Sequence, residues 1–133
     1  MVCRWGLVPG LAATLAVIAG CWSARTIDHS NVYAGPTMTL TSSAGQHMLV
    51  VRAPTPGWLI TIDRTEHHLE DSLIFVTLQR PDPGALYAQV EVEQRVLTTV
   101  PTSRAVVVYA RTIDFGQRKK LPPYRRVMDE PSD

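Results

Sequence analysis

From Thr37 to Ile113 short β-branched and aliphatic runs alternate with clusters of turn residues, and no helical spacing of apolar positions persists over three turns. Thr37 to Ser42 alternates threonine with Met38 and Leu40, the pattern of a half-buried strand, and Ser43-Ala44-Gly45 turns the chain, with Gly45 free to take positive φ. Gln46 to Ala53 reads as a second strand, apolar on both faces through Met48-Leu49-Val50-Val51, hence central or covered. Pro54 to Gly57 interrupts pairing, because proline has no N–H to give a ladder. Trp58 to Glu66 then places Trp58, Ile60 and Ile62 on one face and Thr61 and Asp63 on the other. After the polar connection His67 to Ser72, Leu73 to Gln79 sets Ile74, Val76 and Leu78 on a shared face, and Arg80-Pro81-Asp82-Pro83-Gly84 is the strongest turn signal in the chain. Tyr87 to Val100 reads as one long strand, or two joined by a bulge, with Val90, Val92 and Val96 opposite Glu91, Glu93 and Arg95. Gln94 falls on its apolar side, so a bulge or a hydrogen-bonded buried amide is expected there. Ala105 to Thr112 forms the last strand. Six or seven short strands predict an all-β chain: a single antiparallel β-sandwich or small open barrel.

The flanks differ from this core. Residues 21–36 form a polar, Gly/Pro-punctuated tether, residues 37–115 the β domain, and residues 116–133 a charged, proline-containing tail. Ahead of them, Arg4 opens a segment that is apolar from Leu7 to Ala19 apart from Thr14 and closes on Ala19-Gly20. That is the layout of a secretory signal over residues 1–20, expected as a signal helix. Its apolar run of about 15 residues is short of the roughly 20 a membrane-spanning helix needs. Ile18-Ala19-Gly20-Cys21 resembles the lipobox of bacterial lipoproteins. The resemblance implies cleavage before Cys21, diacylglycerol on its sulfur and a further acyl chain of the palmitate class on the new amino group. Two or three acyl chains anchor firmly, whereas a single one holds marginally. The other reading is a plain signal cut near Ala24 and a secreted domain.

Removing residues 1–20 leaves 113 residues, enough for one domain and able to fold without metal or disulfide. The full chain carries +1, and that remainder has 12 basic against 12 acidic residues, which gives no reason to expect nucleic acid as a partner. Cys3 lies in the segment to be removed, so Cys21 has no internal disulfide partner, and acylation gives the thiol a use. Trp22 stands where enteric-type lipoproteins retained in the inner membrane carry aspartate. By that analogy the expected location is lipid-anchored on the cell membrane, and on the outer membrane facing the periplasm in a diderm.

The order Pro-x-Gly-aromatic before an alternating strand (Pro54 to Ile62), a hydrophobic strand ending in Arg-Pro-x-Pro-Gly (Leu73 to Gly84) and a glutamine-bearing strand (Gln89 to Val100) resembles the C-terminal domain of the PrcB family. Those are small bacterial β domains, often exported or lipid-anchored and linked by name to the stability of a protease complex. The resemblance covers about Leu49 to Arg111, departs from the family at Trp58-Leu59, and carries over no catalytic residue.

Candidate chemistry is sparse. His67, His68 and Glu70 are the densest group of metal-ligand types, but neighbouring side chains in extended chain point apart, so His29 or His47 would have to come from elsewhere; the default is a solvated loop with no metal and no cofactor. Asp63, Glu66, Glu91 and Glu93 lie on the polar sides of strands, where a solvated face is expected rather than a pair of acid–base carboxylates. Ser42, Ser43, Ser72 and Ser103 are placed in turns, outside any Gly-x-Ser-x-Gly elbow. The sequence assigns no partner-binding residue, and the candidates for partner contact are Tyr87, Pro81 and Pro83, and the basic Arg118, Lys119 and Lys120. With Arg125 and Arg126, that basic segment is either a solvated tail or a contact with anionic head groups or a polyanionic envelope polymer. Together these features predict a membrane-anchored envelope lipoprotein with no catalytic residues, held to the membrane through acylated Cys21 and binding or scaffolding an envelope protein. The alternatives are a small hydrolase or metal-binding protein using His67, His68 and Glu70, and a carbohydrate- or peptidoglycan-binding β domain using Trp58 and Tyr87.

Overall fold

Alternation along the sequence becomes pairing in space. The computed structural model describes residues 27–128. In chain order its strands are β1 (Ile27–Val32), β2 (Thr37–Ser43), β3 (Gln46–Ala53), β4 (Leu59–His67), β5 (Asp71–Gln79), β6 (Val92–Pro101), β7 (Ala105–Ile113) and β8 (Tyr124–Arg126). They form a five-stranded sheet, β1-β8-β7-β5-β4, and a three-stranded sheet, β2-β3-β6. The chain is therefore an all-β sandwich, and no helix among the described residues is long and apolar enough to cross a membrane. The expected signal helix, the lipobox with Cys21 and residues 129–133 lie outside the described residues.

The two inner faces meet in one core. Met38, Leu49, Val51 and Val100 come from the smaller sheet, and Ile74, Val76, Leu78, Val108 and Ala110 from the larger, with Trp58, Ile60 and Ile62 packed against them. Apolar area removed from water between two pleated faces is what holds such a sandwich. The β2–β3 hairpin closes over Ala44 and Gly45, both at positive φ (52° and 77°), the geometry whose twist matches that of paired strands.

The β6 strand carries Val92, Gln94, Val96, Thr98 and Val100 on its inner face. As expected, the Gln94 amide is satisfied: Nε2 donates to the Trp58 carbonyl at 2.9 Å. The break in β6 comes further on, where pairing jumps from Met48↔Leu97 to Gln46↔Pro101. There the Thr98 hydroxyl donates to the His47 carbonyl (2.7 Å) and accepts from Val100 N–H (3.2 Å), supplying partners that the ladder drops.

Three features of the fold differ from the sequence reading. The described residues hold eight strands rather than six or seven, because β1 forms within the expected tether and β8 within the expected tail. Both are short and polar, and their order comes from pairing, Ile27 with Tyr124 and Ala110 with Arg125, not from a periodicity of their own. The sandwich is not wholly antiparallel: β5 and β7 run parallel from Asp71↔Ala105 to Gln79↔Ile113, as do β1 and β8. The parallel pair arises because the chain leaves the larger sheet after β5, adds β6 to the smaller sheet, and returns beside β5 in the same direction. Lastly, Tyr87 to Glu91 is loop rather than strand. This stretch belongs to the crossing between sheets, and Val90 is exposed.

Candidate functional site

A strand buried on one face should offer a polar row on the other, yet β5, flanked by β4 and β7, is covered on both. Its outward Phe75 is 1% exposed and its outward Thr77 is buried. The cause lies in β4, where a bulge between Ile62 and Arg64 sets two residues against one and turns both Asp63 and Arg64 outward. The Arg64 guanidinium lies 4.2 Å from the Phe75 ring centroid. Tyr109 stacks on Phe75 at 5.5 Å and Tyr124 meets it edge-on at 5.1 Å.

Polar atoms close the edge of this aromatic cluster. Asp63 Oδ2 accepts the Tyr124 hydroxyl at 2.6 Å and the Thr77 hydroxyl. Arg111 Nε donates to Thr77 Oγ1 at 2.9 Å, its Nη2 lies 3.9 Å from Asp63 Oδ2, and its guanidinium covers the Tyr124 ring at 4.3 Å. Burial first, then the bond to the Asp63 carboxylate, pushes the Tyr124 phenol above its ordinary pKa, so it stays a donor. Arg64 Nε stands 3.2 Å from Glu66 Oε1, off the line of a hydrogen bond, and Glu66 also faces His68 Nε2 at 3.6 Å. Asp63 Oδ2 is thus occupied by two hydroxyls. The arrangement pins β8 to the sheet.

A second cluster ties the opposite end of the large sheet. Arg104, in the β6–β7 turn, donates through Nε to Ser72 Oγ (3.0 Å) and through Nη2 to the carbonyls of Asp71 (3.0 Å) and His68. His47 Nε2 donates to the Arg104 carbonyl at 2.7 Å, and Thr102 N–H to the Gly45 carbonyl at 2.9 Å. One arginine thereby joins the β4–β5 and β6–β7 turns, and its own carbonyl ties in β3. Ser72 is a correction to its placement in a turn: it lies in β5, fully buried, with His67 Nδ1 at 3.0 Å from its Oγ. With that hydroxyl shielded and held by Arg104, the Ser72–His67 contact is a structural tie.

The remaining candidates disperse. His67 turns to Ser72, His68 to Glu66, and Glu70 is exposed, so the three do not converge; among the described residues no three His, Cys, Asp or Glu side chains gather at one point. Glu91 is exposed in the loop before β6, and Glu93 pairs with Arg95 at 2.7 Å. The ring of Tyr87 covers Gly57, whose φ of 97° and lack of a Cβ make room for it: a Cβ there would come within 2.5 Å of the ring. The proline turn is held by Gly84 N–H on Asp82 Oδ1 (2.8 Å), with Pro81 half-buried and Pro83 exposed. Arg118, Lys119 and Lys120 are exposed in the loop before β8, and Cys21 lies outside the described residues.

Several surface hollows lie among the described residues. A cleft of about 460 Å³ is lined by Leu40, Thr41, Ser42, His47, Thr102 and Val106. Another of about 200 Å³ includes Arg80, Arg111 and Arg125. These arginines are engaged, by Asp114 at 2.8 Å, by Thr77 with Asp63, and by Asp28 at 3.2 Å. Tyr33, half-buried where this cleft meets a hollow lined by Pro36, Met38 and Val127, has its phenol pushed up to about 12 by desolvation. Comparison of the chain with protein-family models, with curated proteins and with solved structures finds no match in any of the three.

Proposed function

We propose that this chain is a lipid-anchored protein of the bacterial cell envelope, outer-membrane in a diderm, whose sandwich binds a protein partner without catalysing a reaction. The observation that carries the binding role is the free edge of β6. Among the described residues this strand, the longest of the eight at 10 residues, is hydrogen-bonded to β3 alone. Its stretch Val92–Leu97 keeps unbroken one-to-one register with β3. Leu97, 51% exposed, stands on the outer face beside Arg95. An exposed, regular edge is a template for a further strand, in which main-chain bonds supply affinity and alternate side chains supply selection. Of the other edges among the described strands, β2 is regular but shorter at 7 residues, and β4 is bent by its bulge and carries charges, a common guard against pairing. The occupied polar clusters among the described residues also favour binding over chemistry, which calls for convergent polar groups in a pocket. A partner role is likewise what the PrcB-like order of turns and strands implies.

The test is capture of partners from the native envelope with the full-length protein and with Leu97→Lys. The wild type is expected to retain one reproducible envelope protein, and the variant, with an edge lysine, to lose it while melting normally. Equal recovery by both contradicts binding at β6. Turnover of an envelope substrate with no partner recovered contradicts the non-catalytic reading.

A further inference from the structure

Topology brings together three features that lie far apart in the sequence. Because β1 runs parallel to β8, Ile27 sits beside Tyr124. Because β8 runs antiparallel to β7, the loop joining them, residues 114–123, lies at that same end of the sheet. The point where the chain from Cys21 enters the domain is therefore next to the loop that carries Arg118, Lys119 and Lys120. Six residue steps separate Cys21 from Ile27, a span of at most about 20 Å.

The loop is built rather than slack. Gln117 accepts Asp114 N–H at 3.0 Å and donates to the carbonyls of Lys119 (3.3 Å) and Lys120 (3.1 Å), and Pro122-Pro123 lead stiffly into β8. Its three basic side chains are exposed and form no ion pair with a described residue, whereas the described acids Asp114 and Asp28 are engaged by Arg80 and Arg125. Two apolar side chains accompany them, Phe115 at 52% exposure and Leu121 at 39%. Net positive charge beside exposed aromatic and aliphatic groups is the surface that anionic head groups and the adjoining acyl boundary accept.

We propose that the β7–β8 loop is a membrane-contact loop, which lays Arg118, Lys119 and Lys120 on anionic lipid head groups with Phe115 and Leu121 at the interface. This rests on the lipid-anchored reading for its biological setting. It would orient the sandwich with this end toward the bilayer and hold it there independently of the anchor.

The test uses residues 22–133, which lack the apolar leader and position 21; every described strand and the whole described core lie within residues 27–128, and cooperative melting of this protein checks that the fold is retained. Sedimentation with phosphatidylcholine vesicles containing one third phosphatidylglycerol is expected to bring the protein down at low salt and less of it at high salt. The triple variant Arg118→Gln, Lys119→Gln, Lys120→Gln is expected to bind on the order of a hundredfold more weakly, with an unchanged melting temperature. Phe115→Ser is expected to weaken binding about tenfold. No sedimentation with the anionic vesicles, equal sedimentation with pure phosphatidylcholine, or binding untouched by the triple variant overturns the proposal. Since the protein tested has no position 21, these outcomes are separate from whether Cys21 is acylated in cells.

Discussion

Phe75→Ala is expected to destabilise the domain by about 3–5 kcal/mol, the range for removing a fully buried phenylalanine. The side chain points away from the sandwich core, and on a solvated sheet face the same change would fall within about 0.5 kcal/mol. Here Phe75 is 1% exposed under Arg64, with Tyr109 and Tyr124 against its ring. Its loss opens a cavity and withdraws the support of Tyr124, whose packing and bond to Asp63 add to the backbone pairing that holds β8, and with it β1. Urea unfolding of the wild type and variant measures this. The midpoint is expected to fall with the slope unchanged, and a midpoint within experimental scatter of wild type would show that the outer face is not a second core.

Arg104→Met is expected to cost about 2–4 kcal/mol while keeping much of the side chain's apolar length. Bonds to a charged donor contribute about 1.5–3 kcal/mol each on deletion, partly offset where water replaces the lost partner. The buried Ser72 hydroxyl is the costly loss, because water does not reach it, while the carbonyls of His68 and Asp71 lie nearer the surface. Amide hydrogen exchange provides a local readout: protection is expected to drop first in the β4–β5 and β6–β7 turns, and uniform loss across both sheets would argue against a local tie.

Much of the sandwich is legible in the hydrophobic pattern. Gln46 to Ala53 is a strand at those limits, Ala105 to Thr112 extends by one residue, and the inward row Ile74, Val76, Leu78 lies in the core. The row Ile74, Val76, Leu78 is visible because a strand with one face buried repeats with period two, and the other two strands are visible as β-branched and aliphatic runs bounded by turn residues. The stretches that escaped have no such repeat. IDHSNV offers no alternation, and YRR is three residues between prolines and charge. What orders them is the register with distant strands and the bond from Tyr124 to Asp63, 61 positions away. The parallel β5–β7 pair is invisible for a similar reason, since nothing in either run specifies the direction of its neighbour. Of the clusters, the carboxylate of Asp63 looked like one more polar position on β4. Only the bulge, which turns Asp63 and Arg64 to the same side, makes it the centre of a network. The basic loop was readable as charge, while its place beside the entry of the chain from Cys21 depended on strand order.

Anchoring is the premise that sets where the β6 edge and the basic loop act, and mass spectrometry of the protein recovered from native cells tests it most directly. The account predicts a chain that starts at residue 21, with diacylglycerol in thioether linkage to its sulfur and an acyl group on its amine. An unmodified thiol at position 21, or a mature chain that begins beyond it, would contradict the account.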